Sequence, residues 1–347
     1  MPRSVAFFVP GDLGTLTGGY GYDREIIAGL RALGWHVEIE ALSDTFPAPT
    51  QAALVDADRR FERASGIVVV DGLALPGLAP VLRRHCERLT LVGLVHHPVA
   101  LEPDLDSNAA TRLHALEADS YAMLAHIVCT SRWTAEALAD FGVAPARIDV
   151  VEPATQPGNP AHGSGTPCPN LLCVATLTPR KGHAVLLRAL HSLRHLCWHL
   201  HCIGSLDRDP ACATAIEQQI VALDLVQRVT LHGELPPERL AQHYESADLF
   251  VLASRLEGYG MVLAEALAHG LPIVATAGGA VARTVPAEAA RLVAPDDAAA
   301  LAAALEAWLC DGDLRTRMRV AALDARSRRR DWTRAADEFD AVMTARL

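Results

Sequence analysis

What most constrains this chain is an alternation that runs along it and breaks once. VAFFV at 5–9 is a short continuous apolar run. DREIIAGLRALG at 23–34 then places Ile26, Ile27, Leu30 and Leu33 on one helical stripe and stops at Gly34, a residue suited to ending a helix. HVEIEAL at 36–42 follows with the two-residue period of a strand. Strand, helix and strand in that order make a parallel pair, and repetition of the unit makes an open α/β sheet. GIVVVDG, LTLVGLV, HIVCTS and IDVVEP supply further strands, with WTAEALADFG as a helix between the last two. At 153–170, PATQPGNPAHGSGTPCPN carries proline and glycine and no hydrophobic period, the composition of a linker. The alternation then restarts at LLCVAT and runs through HAVLLRALHSLRHL, WHLHCIG, TAIEQQIVALDL, RVTLHG, ERLAQHYESA, DLFVLAS, MVLAEALAHG and LPIVATA. DWTRAADEFDAVMTARL at 331–347 adds an amphipathic helix beyond the last strand signal. The expected plan is an N-terminal domain over 1–155, a linker over 156–169, a second α/β domain over 170–330 and a closing helix over 331–347. Two open α/β domains present a cleft between the carboxyl ends of their sheets, where ligands of such folds bind. The halves show no sequence repeat; their likeness is architectural.

Length agrees with two cores, since 347 residues exceed what one core holds. No apolar run reaches membrane-span length, and MPRSVAFFVPGD reads as a first strand rather than a signal peptide. The eight cysteines (86, 129, 168, 173, 197, 202, 212, 310) never fall into C-x-x-C. Several lie in apolar runs where a reduced core thiol is the simple reading, so a cytoplasmic address is expected. Residues 1–160 hold 12 arginines against 20 carboxylates, which accounts for −8 of the formal charge of −10. An acidic first half argues against nucleic acid and anionic lipid as partners. The basic run RSRRR at 326–330 reads as a solvated helix face or turn.

One count is informative. The chain has 30 arginines and a single lysine, Lys181. Codon bias explains the arginines; the surviving lysine is either chance or a position that needs a compact point charge rather than a planar fork. A second feature is SRLEGYGMVLAEALAHGLPIVAT at 254–276, mostly small and apolar, yet holding Glu257 and Glu265. Buried carboxylates need partners. If the preceding strand ends near Ser254 and a helix begins near Gly260, then Gly258 and Gly260 let the backbone approach a ligand. The amides of Gly260, Met261 and Val262 would face an anion at the helix start. The two glutamates could then accept from sugar hydroxyls; the alternative is a pair of exposed helix-surface residues.

SRLEGYGMVLAEALAHGLPIVATAGG resembles the signature of retaining family 4 glycosyltransferases of the GT-B fold. VATLTPRKGHAVLLRAL (174–190) resembles the same family's phosphate-binding segment, and TGGYGYDREIIAGLRALGWHVEI its N-terminal glycine loop and first helix. The likeness spans essentially the whole chain. It implies a GT-B architecture: two Rossmann-like α/β domains facing across a cleft, with the C-terminal helix crossing back to the N-terminal domain. By that resemblance Glu265 would hold the ribose hydroxyls of a nucleotide, and Glu257 hydroxyls of the transferred sugar. Lys181 would meet the diphosphate, with Arg180 beside it and Gly258, Tyr259, Gly260, Met261 and Val262 lining the donor. Gly18 and Gly19 would let the N-terminal loop approach the phosphates, and His96, with His97 beside it, would face the transferred sugar. The chain departs from the pattern at Thr176, where many members carry a second phosphate-binding arginine, leaving that role to Arg180, to Arg255 or to nothing. Tyr259 stands where phenylalanine is usual, and the glycine pair 278–279 continues as AVART rather than toward the frequent acidic residue.

The implied reaction moves a hexose-type sugar from a nucleoside-diphosphate sugar, UDP- or GDP-linked, to a hydroxyl acceptor with retention, without metal or cofactor. The acidic first half favours a small soluble acceptor, and a weak homodimer is the oligomeric expectation. A nucleotide-sugar 2-epimerase of the same fold and a non-catalytic nucleotide-sugar binder are the alternatives. Other patterns carry less. DAD (56–58), DLD (104–106) and DRD (207–209) mimic a metal-binding D-x-D, but the two-domain layout contradicts the single-domain fold that uses it. His191, His195, His199 and His201 read as helix-surface and core histidines rather than zinc ligands, because no carboxylate or thiolate converges on them. The glycines at 11–21 lack the G-x-G-x-x-G of a dinucleotide site.

Overall fold

The computed structural model describes residues 3–346; Met1 and Pro2 of the first expected domain and Leu347 of the closing segment lie outside the described residues. The chain divides into two compact units. Unit 1 runs to Ala154 and takes up the chain again from Arg330; unit 2 is Thr155–Arg329.

Unit 1 alternates β1 (Ser4–Pro10), α1 (Gly18–Ala32), β2 (His36–Leu42), α2 (Gln51–Arg63), β3 (Ile67–Asp71), α3 (Leu75–His85), β4 (Thr90–Val95), α4 (Ser107–Met123), β5 (His126–Cys129), α5 (Arg132–Ala137) and β6 (Ile148–Val150). All pairings are parallel, in the order β2-β1-β3-β4-β5-β6. The apolar runs read from the sequence form the central strands; IVVVD of β3 is buried at every position. Phe8 packs against Phe61 of α2, with ring centroids 4.2 Å apart and the rings tilted by 40°.

Unit 2 continues with β7 (Asn170–Val174), α6 (His183–Ser192), β8 (His199–Ile203), α7 (Pro210–Ala222), β9 (Val229–Leu231), α8 (Pro237–Ser246), β10 (Leu249–Leu252), α9 (Met261–Ala268), β11 (Ile273–Thr276), α10 (Val281–Thr284), β12 (Ala290–Val293), α11 (Ala298–Cys310) and α12 (Gly312–Ser327). Its sheet is also parallel, in the order β12-β11-β10-β7-β8-β9. Both units are therefore Rossmann-like, with strand order reversing between β1 and β3 in unit 1 and between β7 and β10 in unit 2. The crevice at such a reversal, at the carboxyl ends of the strands, is where open α/β sheets bind ligands.

α13 (Trp332–Thr344) belongs to unit 1. It lies so close to α1 that a Cβ on Gly29 would sit 2.3 Å from the Cβ of Ala336, so glycine is what permits the approach. Arg3 and the indole nitrogen of Trp35 both donate to Asp340, at 2.7 and 2.6 Å.

Three local features differ from the sequence reading. α1 begins at Gly18 rather than Asp23, because the Thr17 hydroxyl accepts from the Tyr20 amide at 3.2 Å and caps the helix five residues earlier. Gly18 and Gly19 therefore form the helix's first turn, not a free loop. Residues 156–169 are laid down on unit 2: the Ala161 amide donates to the His269 carbonyl, Arg319 donates to the Ala161 carbonyl and Arg326 to that of Gly158. Finally, Cys168 and Cys197 form a disulfide, which the reduced-thiol reading of the cysteines in apolar runs did not foresee. The parallel register Asn170↔His199 explains it, since it sets residues two positions earlier on each strand opposite one another. Cys129 and Cys173 are free and buried. No helix among the described residues is long and apolar enough to cross a membrane.

Candidate functional site

In unit 2, the loops leaving β7 and β10 carry the charged residues singled out above to the strand-order reversal. Gly182 holds the first loop against the end of β10: its φ is +67°, and a Cβ there would lie 2.0 Å from the Ala253 carbonyl oxygen. A side chain at 182 would push the two loops apart. The Arg255 amide donates to the Arg180 carbonyl at 2.8 Å and fastens them. The Lys181 ammonium donates to the Glu257 carboxylate at 2.6 Å. Arg180 donates to the Leu256 carbonyl at 2.7 Å and has its guanidinium 3.7 Å from the same carboxylate. Arg255 turns away to Asp296 at 2.9 Å, so Arg180 is the arginine that accompanies Lys181.

Electrostatics follows from that arrangement. Burial would raise the Glu257 carboxyl, but Lys181 and Arg180 outweigh it and hold it below the ordinary carboxylate range. Burial lowers Lys181, and Glu257 only partly restores it. The glycine pair 278–279 shapes the floor. A Cβ on Gly278 would meet the Arg255 carbonyl oxygen at 2.3 Å, and Gly279 pairs with Glu257 as a parallel bridge.

Beyond the turn formed by Gly258 and Tyr259, Gly260 adopts a φ of +89° and begins α9 with no side-chain cap. The amides of Gly260, Met261 and Val262 meet no acceptor among the described residues, so the positive end of α9 is open to an anion. Glu265, one turn in, is half-buried and accepts from the Tyr244 hydroxyl at 2.9 Å. Burial raises its carboxyl and the Tyr244 hydrogen bond lowers it, leaving it above its ordinary value.

In unit 1, His96 follows β4 at the carboxyl end of the sheet. Its Nε2 lies 3.2 Å from Asp23 Oδ1 and 3.9 Å from Asp71 Oδ2. Both carboxylates are buried, Asp23 completely. Burial, then the Asp23 charge, pushes Asp71 up to about 7. Burial would lower His96, but the two aspartates raise it above its ordinary value. A Cβ on Gly19 would lie 3.2 Å from the His96 ring, so that glycine gives the imidazole its room. Gly18 is exposed at the helix start. His97 is engaged by Glu102 at 2.7 Å instead.

Unit 2 thus brings together Arg180, Lys181 and Glu257, with Gly258, Tyr259, Gly260, Met261 and Val262 leading into the helix that carries Glu265. Unit 1 brings together Gly19 and His96. Sequence reasoning missed Asp23, Asp71 and Tyr244. Asp23 had a signal, since it falls on the same helical stripe as Ile26, Ile27 and Leu30, where an unpaired carboxylate is out of place. The four histidines at 191–201 do not gather: His191 donates to the Leu223 carbonyl at 2.9 Å and His195 is 3.9 Å from Glu306.

Comparison with known proteins bears on the fold and the family. Residues 168–311 match the family described as glycosyl transferases group 1. A D-inositol 3-phosphate glycosyltransferase of Corynebacterium diphtheriae is 32% identical over 186 residues, 49% of this chain and 40% of that protein. D-inositol 3-phosphate glycosyltransferase 1 of Catenulispora acidiphila is 30% identical over 273 residues, 72% of this chain and 64% of that protein. The matched stretches thus span roughly two-fifths to two-thirds of these relatives' own length. The solved sucrose-phosphate synthase of Thermosynechococcus elongatus superposes with a TM-score of 0.84 at 21% identity, covering 99% of this chain and 98% of that one. Fold and sequence together define a two-unit α/β protein of GT-B architecture. The chain is similar to the GT-B glycosyltransferases, with residues 168–311 matching the group 1 glycosyl transferases.

Proposed function

We propose that this protein transfers a hexose-type sugar from a nucleoside-diphosphate sugar, UDP- or GDP-linked, to a hydroxyl acceptor, with retention of anomeric configuration and without metal. The observation that carries this reading is the convergence of Lys181 and Arg180 beside the open amides of α9, at the strand-order reversal of unit 2. A leaving diphosphate gains negative charge as its bond to the sugar breaks. Two fixed cations and a helix start stabilise that charge without reorganising, the largest single contribution in many enzymes. The same cations take the place of a metal. Glu265 is assigned to the ribose hydroxyls and Glu257 to hydroxyls of the sugar, with His96 serving the sugar from unit 1. No protein nucleophile is invoked: the departing phosphate oxygen takes the acceptor's proton on the face it leaves. The acidic balance of residues 1–160 supports a small soluble acceptor, as do the relatives named for D-inositol 3-phosphate. A cytoplasmic address is proposed on the free, buried thiols of Cys129 and Cys173, with the Cys168–Cys197 disulfide counting against it.

The test is a thermal-shift panel of UDP-, GDP-, ADP- and dTDP-sugars with chelator present, on the natural protein and on Lys181→Ala, followed by turnover with the donor it selects. One nucleotide should shift the natural protein and not the variant, and Lys181→Ala should lower turnover about 10²–10³-fold, the usual loss for a transition-state electrostatic group. Near-normal turnover in the variant overturns the assignment of Lys181. Epimerised sugar formed without any acceptor overturns the transfer reaction.

A further inference from the structure

Apart from the residues assigned above, unit 2 contains a second convergence of chemistry-bearing side chains. His201 lies in β8 between the buried Leu200 and Cys202. His232 is the first residue after β9, and its amide donates to the Cys202 carbonyl at 2.9 Å, which draws it alongside β8. His243 comes from α8, next to the buried Tyr244. One ring nitrogen from each lies within 4.8 Å of the other two. The ring centroids of His232 and His243 are 4.5 Å apart, and His201 is 5.3 and 5.4 Å from them.

The partners of these rings set them apart. Elsewhere in the unit His191 and His269 donate to main-chain carbonyls, each within 2.9 Å. Among His201, His232 and His243 the one ring hydrogen bond is His201 Nδ1 to His232 Nε2, at 3.0 Å. No carboxylate and no carbonyl accepts from them among the described residues. Three neutral imidazoles offer three lone pairs, and one N–H···N bond uses only one of them. All three rings are half-buried, which gives them fixed positions and a path to solvent.

We propose that His201, His232 and His243 form a mononuclear site for a divalent ion of the Zn²⁺ and Co²⁺ type, with three imidazole nitrogens as ligands and the fourth position open. Tetrahedral Zn²⁺ takes nitrogen ligands at about 2.0–2.1 Å, which separates them by about 3.4 Å. Binding would draw nitrogens now within 4.8 Å of one another in to that spacing. The donor set excludes Mg²⁺ and Ca²⁺, which take oxygen. Arg239, one turn earlier on α8, places positive charge near His232 and His243; it opposes a bare divalent ion and favours one that carries an anionic fourth ligand such as hydroxide. The ion would tie β8, the loop after β9 and α8 together. None of its three ligands is among the residues assigned to the diphosphate.

The experiment strips the full-length protein with chelator and titrates it with Co²⁺, then displaces Co²⁺ with Zn²⁺. The expected result is one Co²⁺ per chain with the intense visible bands of tetrahedral geometry and no thiolate-to-metal charge-transfer band. His243→Gln and His232→Gln should each weaken Co²⁺ binding about 100-fold, at the top of the range seen when even second-shell partners of a metal are lost. Their metal-free thermal midpoints control for folding. Cys173→Ser should leave the spectrum unchanged. A thiolate charge-transfer band that Cys173→Ser abolishes would overturn the proposal and place the ion at the buried Cys173, His183 and Cys202. Equal binding by the histidine variants, or no binding at micromolar Co²⁺, would overturn it as well.

Discussion

Replacing Lys181 by methionine keeps its length and removes its charge, and the structure says what that should do to the ligand-free protein. The Lys181 and Glu257 side chains are only 14% and 8% exposed, and their charged atoms are 2.6 Å apart. Removing one partner of a buried ion pair costs about 3–5 kcal/mol, because the other charge is left unpaired. Here Arg180 remains 3.7 Å from the carboxylate, so the lower end, about 3 kcal/mol, is expected. For a unit the size of Thr155–Arg329, each kcal/mol moves the midpoint by about 2–4 °C, so Lys181→Met should lower it by about 6–12 °C. Glu257→Gln in the same background removes the orphaned charge and should recover part of that loss, with a coupling of about 1–3 kcal/mol.

The pH dependence has a definite sign. In the natural protein Glu257 is held below its ordinary value, so its contribution is present above the unfolded carboxyl value and lost only as pH falls through the lower folded one. In Lys181→Met burial dominates and raises Glu257. A raised carboxyl contributes stability that is present below its unfolded value, about 4.3, and lost as pH rises through the folded value. The deficit of the variant should therefore be largest near pH 8 and shrink toward pH 5. Calorimetric or urea unfolding of the natural protein, the two single variants and the double variant measures it. Single-variant losses that add to within about 0.5 kcal/mol, or a deficit that grows on acidification, would refute the buried pair as the reason these loops hold together.

Tyr244→Phe leaves Glu265 without its hydroxyl donor and should cost about 1–2 kcal/mol of stability. Because burial raises Glu265, nucleoside-diphosphate affinity measured by calorimetry should fall as pH drops through a value above the ordinary carboxylate range; a flat profile down to pH 5 would argue against a charged Glu265 on the ribose. Gly19→Ala places a Cβ 3.2 Å from the His96 ring and should lower turnover about 10-fold by displacing the imidazole a few tenths of an ångström, given that a full ångström costs about 100-fold. Nucleotide affinity should be unchanged. Gly29→Ala drives a methyl to 2.3 Å from Ala336, an overpacking worth about 1–3 kcal/mol, and Ala336→Gly in the same chain should restore the midpoint.

The fold was legible where a signal was local. Each central strand is a short apolar run, and Gly34, Gly142 and Gly270 end segments in the left-handed conformation that favours glycine. The start of α1 was not legible, because two glycines argue against helix and one Thr17 hydrogen bond overrides them. Residues 156–169 read as a linker because what orders them is remote: Arg319 and Arg326 lie more than 150 residues on. The same holds at the site. Lys181 and Glu257 were each conspicuous, one as the only lysine and the other as a carboxylate among small apolar residues. Their ion pair spans 76 residues, and nothing in either segment names the other. Asp71, at the end of an apolar strand, and Tyr244, on an ordinary helix stripe, gain their meaning only once β4 and α9 stand beside them. His201, His232 and His243 have no spacing that marks a metal site, and only the register of β8 and β9 and the packing of α8 bring them together.

If the crevice of unit 2 holds an anion as proposed, Glu257 helps explain how it stays folded before the anion arrives. Lys181 and Arg180 beside the open end of α9 would leave two neighbouring cations and a helix dipole of the same sign in a partly dry place. Burial already pulls Lys181 below its ordinary value, and Glu257 opposes that shift. The carboxylate keeps Lys181 charged and leaves the group with one net positive charge, less than a diphosphate carries in negative charge. The proposed ligand would therefore gain attraction from both cations without having to order them. That economy requires the counter-charge to sit on the same two loops as the cations, which is what Gly182, Gly278 and Gly279 make possible by letting those loops touch. Under the function proposed above, stability of the empty crevice and affinity for its ligand would rest on the same three side chains.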